Sequence, residues 1–551
     1  VKPFELLSQA VRAKEILSVF ARHGFADLIS QVEWPVGWWH KKSAETKTTR
    51  NTYERIRLAA EELGPTFVKI GQILSMRPDV LPQPLILELR KLQDHVNPLP
   101  FDQMKAVLDQ ELTREHTEIF SSFDETPLAT ASLAQVYAAT LQSTGEKVAV
   151  KIQKPNIRHN IEIDLDLSVW LAGKLQDHVE ALQAIDAQSI MEEARRGVLR
   201  ELNFKTEARN QEYFNSLNPR PEEVFAPKVF SEYSTPRVLI MELITGSPVD
   251  RPTLSSEILC HAAGFGAASL MRQILVNGFF HADPHSGNVM ITTDGRLCFL
   301  DWGLAGHLTR RLRYALADFW VAAVEQDAER IVQIAAELAP IDARPNLRVM
   351  EKEVTLALRE ELNFSIGHLE LGRAMLKLLY IFSQHGIPLS RDYSLMAKAI
   401  LSIEEVGTML DPQFDLRAHT KSVLRELYRE RNNPRTLFRR SRSLIHSTLS
   451  SLQNLPAELH RLVRRLEHDD LTIKMQHHGL ESHDDAMKVA ANRITLGVII
   501  GALLIGSSLI VTTGIQPHLF GYPALGIVGY ILSAVLGLYV VWSIIRQGHH
   551  K

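Results

Sequence analysis

The C-terminal end of the chain carries its tightest constraint. Between Arg493 and Arg546 there is no Asp, Glu, Lys or Arg. Ile494–Ile515 is a charge-free run of 22 residues and Pro523–Ile545 is one of 23. A helix needs about 20 apolar residues to cross a bilayer core. Gln516 to Tyr522 between them reads as a short turn with aromatics at an interface. Lys488 and Arg493 flank the entry, Arg546 and Lys551 the exit. Basic residues at both ends of a hairpin put those ends on the cytoplasmic side. The competing reading is a buried helical hairpin of a soluble domain, but two adjacent runs this free of charge are rare in soluble cores. The expectation is a two-helix transmembrane hairpin over 494–545. Gly497 and Gly501 have the GxxxG spacing that lets helices of a homodimer approach closely.

The segment before this hairpin is basic. Lys421 to Glu467 holds eleven Lys/Arg against four acidic residues. Anionic headgroups attract such juxtamembrane charge, although a solvated helix face would look the same. The remainder is ordinary in composition: 551 residues, 45% hydrophobic and 23% charged, enough for several units. Net charge of −3 gives no reason to expect nucleic acid as a partner. Two cysteines, Cys260 and Cys298, make neither a disulfide framework nor a structural zinc site and fit a reducing compartment. No charged-then-apolar leader follows Val1, so no signal peptide is expected. Trp34, Trp38 and Trp39 cluster around Pro35 and Gly37; packing within the protein is the commoner use of such rings, contact with headgroups the alternative.

Hydrophobic periodicity predicts helices over Tyr53–Leu63, Thr66–Met76 and Asp102–Glu111. The grammar then changes. Val136–Thr140, the turn Ser143-Thr144-Gly145 and Lys147–Ile152 read as a β-hairpin. Helix follows over 159–215, strands within Val224–Met241, helix over Ser255–Gly278, and a short strand at Leu297–Leu300 among polar loops. From Leu308 to about 430 helix dominates. Strands first, helices after, and polar loops at the junction predict a bilobal α+β fold.

Four motifs fall in order along this stretch. Ala129-Thr130-Ala131-Ser132-Leu133-Ala134-Gln135-Val136 is the kinase phosphate loop GxGxxGxV with alanine for each glycine. Alanine keeps the small volume but adds a Cβ, which stiffens the loop. Val148-Ala149-Val150-Lys151 closes the second hairpin strand with a lysine able to reach phosphates. In His281-Ala282-Asp283-Pro284-His285-Ser286-Gly287-Asn288, Asp283 and Asn288 keep the spacing of a kinase catalytic loop: the Asp can accept a hydroxyl proton or orient the γ-phosphate, and the Asn offers oxygen to metal. Leu300-Asp301-Trp302-Gly303 stands where kinases have DFG. Asp301 and Asn288 are hard oxygen donors, suited to Mg²⁺ or Mn²⁺. Glu207 is the expected ion-pair partner of Lys151. Met241 and Glu242 end an apolar strand where a kinase contacts adenine. Each motif alone is common: an alanine-rich turn, a strand-end lysine, an exposed helix acid. Their order is the signal.

A fifth element narrows the reading. Lys69-Ile70-Gly71-Gln72, together with the other four, resembles the UbiB/AarF family of atypical kinases, of which KxGQ is a mark. The resemblance covers residues 50–320, and the hairpin extends it to bacterial members that end in paired membrane helices. It implies a kinase-like core with a helical extension across the protein-substrate cleft. It further implies that Lys69 points into the active site toward an acidic ExD motif. Here that motif is Glu201-Leu202-Asn203, one charge short. The implied sites are Asp283, Lys151 and Lys69 for catalysis. Nucleotide would be held by Ala129, Ala131, Ser132, Ala134, Val136, Lys151, Glu207, Met241, Glu242 and Gln72, metal by Asn288 and Asp301. The corresponding division is an extension over 1–125, an N-lobe over 126–245, a C-lobe over 246–430, a basic linker over 431–493 and the hairpin over 494–545.

The function expected from the resemblance is Mg-ATP-dependent hydrolysis or phosphorylation of a lipid-like molecule in support of ubiquinone biosynthesis, at the cytoplasmic face of a bacterial inner membrane. Membrane lipids, quinone-precursor lipids and other quinone-biosynthesis proteins are the expected partners. A nucleotide-binding scaffold without catalysis is the alternative, although it would commonly have lost one of Lys151, Asp283, Asn288 or Asp301. A kinase for soluble small molecules shares the catalytic loop but explains neither KxGQ nor the hairpin.

Overall fold

Alternation of side chains along a strand decides which face each residue meets. In the computed structural model, the first four strands are β1 (Phe120–Phe123), β2 (Ala129–Thr130), β3 (Ala134–Leu141) and β4 (Lys147–Gln153). After them come β5 (Val224–Phe225) and β6 (Val238–Glu242). One antiparallel sheet runs β1-β3-β4-β6, with β2 paired to β3. Val148, Val150 and Ile152 of β4 pack with Tyr137, Val238 and Ile240 against Met104, Val107 and Leu108 of the helix Phe101–Glu111. On the opposite face Ala149, Leu239 and Met241 meet Phe204 and Ala208 of the helix Phe204–Leu217. Lys151 shares that second face. The structure describes residues 3–27, 51–77, 81–92, 97–112, 115–179, 186–339, 345–363, 371–387, 391–431, 481–513, 515–519 and 521–547. Trp34, Trp38, Trp39 and most of the basic linker lie outside them.

The sheet starts earlier than residue 126. β1 is its edge strand, and the helix Phe101–Glu111 packs on it, so this part of the expected extension belongs to the N-lobe. The extension proper includes the helices Pro3–Phe20, Thr52–Leu63, Pro65–Leu74 and Gln83–Leu89, the last of which the sequence pattern did not predict. Phe67, Val68, Ile70 and Ile73 bury against Ala194 and Val198 of the helix Ala187–Glu201, its C-cap residue Leu202, and Ile161 and Leu165. A Cβ on Gly71 would lie 2.3 Å from Leu92 Cδ1, so the KxGQ glycine serves close approach.

β5 leaves the first sheet. It pairs in parallel with β10 (Leu297–Phe299) in a sheet ordered β5-β10-β9-β7, where β7 is Gly246–Pro248 and β9 is Val289–Thr292. β8 (Phe279–His281) pairs with β11 (Ala305–His307). Helices build the rest of this lobe. The segment Ser256–Asn277 is apolar enough to cross a membrane, yet 61% of it is buried, because it is the lobe's central helix.

The chain forms two units, Val1–Phe438 and Arg439–Lys551. The second holds the helices Glu481–Thr512 and Ala524–Gln547, joined through the pair His518–Leu519 (β12) and Tyr522–Pro523 (β13). Only 6% of Ala491–Thr512 and 11% of Ala524–Val541 is buried. Their seam is made of small residues: Gly526 closes on Val511 and Gly529 on Ser507. Gly497 and Gly501 have nothing within 4 Å among the described residues, so the GxxxG pair is not what joins the two helices.

One C-lobe contact is tight enough to test. Gly372 is the second residue of the helix Leu371–Gln384, and a Cβ there would lie 2.5 Å from the Leu401 backbone in the helix Arg391–Leu410. Backbone cannot yield as a flexible side chain can. Gly372→Ala should destabilise the Val1–Phe438 unit by about 2 kcal/mol in urea unfolding; an unchanged midpoint would mean that the two helices have room to part.

Candidate active site

The register of β4 aims Lys151 at the helix that carries Glu207. Lys151 Nζ lies 2.9 and 2.8 Å from the two Glu207 oxygens and 3.3 Å from Asp301 Oδ2. Glu207 is 3% exposed, so its charge has no water to fall back on. Burial alone would pull the Lys151 ammonium down, but the Asp301 and Glu207 carboxylates outweigh it and hold it above its usual range. Burial pushes the Glu207 carboxyl up to about 7, against the pull of Lys151 and with help from the Asp301 charge. Desolvation would raise Asp301 as well; Lys151 and, farther off, Lys69 overcome it and keep that carboxyl well below the ordinary range.

Asp301 arrives from the other lobe. β9 and β10 pair with Phe299 opposite Val289, and Leu300 N–H donates to Asn288 O at 2.7 Å. That register brings Asn288 beside the Asp301 turn. Asp301 has φ +48°, a left-handed conformation that Asp tolerates better than most residues, and its Oδ1 accepts from Gly303 N–H at 3.2 Å. Trp302 anchors the turn. Its ring is fully buried, stacks on Phe214 at 4.5 Å and on Phe279 at 5.9 Å, and donates to Phe299 O at 3.0 Å.

Buried His281 sets the catalytic loop. Its Nδ1 accepts from Asp283 N–H at 3.1 Å, so Nε2 carries the proton and donates to Leu300 O at 2.8 Å. Burial lowers its pKa and the ring stays neutral. Asn288 Nδ2 donates to Asp283 O at 3.1 Å, leaving the amide oxygen as the atom available to a cation. Asp283 Oδ1 is buried with no hydrogen-bond partner among the described residues. A neutral amide oxygen and a carboxylate are the donors Mg²⁺ takes when phosphates and water complete its shell, so Asn288 and Asp301 fit that ion.

The helical extension reaches the same place. Lys69 Nζ is 3.0 Å from Glu201 Oε2. Asn203, the uncharged position of the ExD motif, caps the helix Phe204–Leu217 by accepting from Lys205 N–H at 3.2 Å. Asn and Asp cap equally well, so the departure costs a charge but not the cap. Gln72 is turned elsewhere: its amide donates to Leu92 O at 3.3 Å. The alanine loop closes through Ala131 N–H to Ala134 O at 2.9 Å, with Ala129 opposite Val136. At its tip Ser132 and Leu133 are buried, and Leu133 joins the extension's core. Met241 is buried on the face of the sheet that Lys151 shares. The N–H groups of Glu242 and Leu243 are already bonded, to Lys228 O and Lys147 O.

Comparison with known proteins identifies the family. Residues 91–335 match the ABC1 atypical kinase-like domain, 358–415 the UbiB helical domain and 478–546 the ABC1/UbiB kinase-like C-terminal domain. A probable protein kinase UbiB from Xylella fastidiosa is 31% identical over 433 residues, covering 75% of this chain and 76% of that one. The chain belongs to the UbiB/ABC1 family of atypical kinase-like proteins. A Clostridium pasteurianum protein described only as uncharacterized, in the hydrogenase 1 5′ region, is 29% identical over 98% of this chain and 99% of its own. A solved Mycobacterium tuberculosis protein, in complex with erythromycin, is 24% identical with a TM-score of 0.47, covering 66% of this chain and 93% of that one.

Two features of this UbiB/ABC1 site were not foreseen from the motifs. Lys398, in the matched UbiB helical domain, lies 2.9 Å from Asp283 Oδ2. Its signal in the sequence is a single lysine within an otherwise uncharged stretch, Tyr393–Ile403. Glu193 pairs with Arg77 and lies 3.9 Å from Arg391, joining the extension to the same helical domain.

The Glu207 shift has a measurable sign. The carboxyl titrates near 4.5 when unfolded and about 7 when folded, so the folded chain binds the extra proton between those values. This group's contribution to stability is fully present below about 4.5 and declines as pH rises to about 7. Urea unfolding of wild type beside Glu207→Gln should show a stability difference that changes across this window and is flat above it. A difference independent of pH would place the Glu207 carboxyl back in the ordinary range.

Proposed function

We propose that the protein is a membrane-anchored atypical kinase or ATPase that binds ATP with Mg²⁺ or Mn²⁺. In this reading it supports ubiquinone or a related quinone-lipid biosynthesis by acting on, or responding to, lipid-like precursors. The observation that carries the reading is Lys151 held between Glu207 and Asp301, one carboxylate from each lobe. A lysine so fixed is preorganised for the α- and β-phosphates of a nucleotide laid across the cleft. Asn288 and Asp301 would hold the divalent ion, which supplies charge neutralisation between phosphates. Asp283 would orient the attacking hydroxyl or water. Lys69, paired with Glu201, would stand where a protein kinase admits a peptide, which favours water or a small headgroup as acceptor. The buried tip of the alanine loop argues in the same direction, because a loop fixed through Leu133 has less freedom to open over a bulky substrate.

Membrane lipids and quinone-precursor lipids are the proposed partners, along with other proteins of quinone biosynthesis. The proposed location is the bacterial inner membrane with the kinase-like unit on the cytoplasmic side. Support comes from the two exposed apolar helices and the basic residues at both hairpin ends. Removing residues 494–545 should release the protein from anionic liposomes in a flotation assay; retention at high salt would mean that the hairpin is not the anchor.

The decisive assay is Mg-dependent ATP hydrolysis by the purified full chain, wild type beside Asp301→Asn, with anionic liposomes and a phenolic precursor mimic. Wild-type turnover should rise with both additions and fall at least about 100-fold in the variant, which keeps its liposome binding. Turnover unchanged by Asp301→Asn would remove Asp301 from the metal site. Nucleotide binding without turnover under every condition would favour the scaffold.

A further inference from the structure

The loop that carries Asp283 is short of positive charge. Phosphoryl transfer loads negative charge onto the terminal phosphate and its flanking oxygens, and kinase-like sites meet it with metal ions and cationic side chains. Lys151 is committed to Glu207 and Asp301, on the side where the inner phosphates would lie. His281-Ala282-Asp283-Pro284-His285-Ser286-Gly287-Asn288 contains no Lys or Arg. His281 is neutral, and His285 Nδ1 is occupied by Gly287 N–H at 3.0 Å.

A cation nevertheless stands there. Lys398 Nζ is 2.9 Å from Asp283 Oδ2, from the helix Arg391–Leu410, more than a hundred residues along the chain. That helix is firmly placed. Glu404 accepts from Leu371 N–H at 2.9 Å and Gly372 N–H at 2.8 Å, capping the neighbouring helix, and Arg391 approaches Glu193 at its start. Tyr393, Leu395, Met396, Ala397, Ala399 and Ile400 are buried around the lysine. An ammonium in such a stretch is costly without a partner. The pair is 28% and 26% exposed, and a partly exposed ion pair is worth no more than about 1 kcal/mol, weak enough to be exchanged for a stronger anion. Lysine's flexible four-carbon stem permits that exchange with little movement of the helix.

We propose that Lys398 is a terminal-phosphate-binding residue of this site: in the nucleotide-free protein its ammonium rests on Asp283, and with ATP bound it bridges Asp283 and the γ-phosphate. This rests on the reading of the site as one for nucleotide. The helical domain thus completes the kinase-like site, giving it a charge that its own catalytic loop lacks.

Binding of Mg-ATP and of Mg-ADP to the full chain, by calorimetry, separates the possibilities. Lys398→Gln should weaken ATP about ten-fold or more, the worth of a charge-assisted hydrogen bond, and leave ADP unchanged. Lys398→Arg should restore most of the loss, and turnover should follow the ATP affinity. Thermal melts establish that each variant is folded; were Lys398→Gln to unfold, the ATP/ADP ratio of Lys398→Arg and Lys398→Met would be read instead. Equal losses for both nucleotides, or none, would overturn the assignment while leaving the nucleotide site standing. Faster turnover in Lys398→Gln would also overturn it, making the Asp283 contact a brake. If wild type binds neither nucleotide, the reading of the site fails, and Lys398's role with it.

Discussion

A buried lysine that answers to two carboxylates organises this molecule. Lys151 is little exposed, and removing its charge from water is unfavourable unless opposite charge replaces the solvent. Glu207 comes from the helix behind the first sheet, Asp301 from the loop after β10 in the other lobe. Three separate pieces of chain must therefore be placed to within a hydrogen bond of one atom. The register of β4 against β3 and β6, the Asn203 cap that starts the Glu207 helix, and the stacked Trp302 beneath the Asp301 turn all serve that placement. A slip of one residue in β4 would turn Lys151 into the Tyr137–Met104 core and Val150 or Ile152 into the charge cluster.

The extension and the helical domain each bring charge to this centre. The extension brings Lys69 to Glu201 and takes the tip of the alanine loop into its own core through Leu133. The helix Arg391–Leu410 brings Lys398 to Asp283 and Arg391 toward Glu193, which Arg77 of the extension also grips.

Much of the core was legible in the sequence because its chemistry is written in short spacings. The five residues from Asp283 to Asn288, the lysine closing β4 and the turn at Asp301 are local patterns, and Glu207 followed from its helix coming after the strand. What the spacing could not show lies in long-range pairings. The pattern marked strands within Val224–Met241 but not their sheet: β5 pairs with β10, Val224 and Phe225 finding their partners in Leu297 and Cys298. β1 precedes the residue at which the pattern changed, since an edge strand of four residues is too short for alternation to stand out. Gln72 faces Leu92 although its motif pointed to the site, and Lys398 and Glu193 belong to no motif at all.

By itself the sequence determined most of the elements and the two long apolar runs at the C-terminal end. Periodicity fixes which segments are helix or strand, and 22- and 23-residue runs without charge admit few fates other than a bilayer or a protein core. Only the tertiary structure shows which apolar runs are packed within the protein. Ser256–Asn277 is also apolar enough to span a membrane, yet packing buries it, while the two terminal helices keep their apolar faces outward. It also decided which charges meet. Lys398 and Asp283, and Lys69 and Glu201, are remote in sequence, and a pairing between distant side chains depends on how helices and strands pack, which no local pattern encodes.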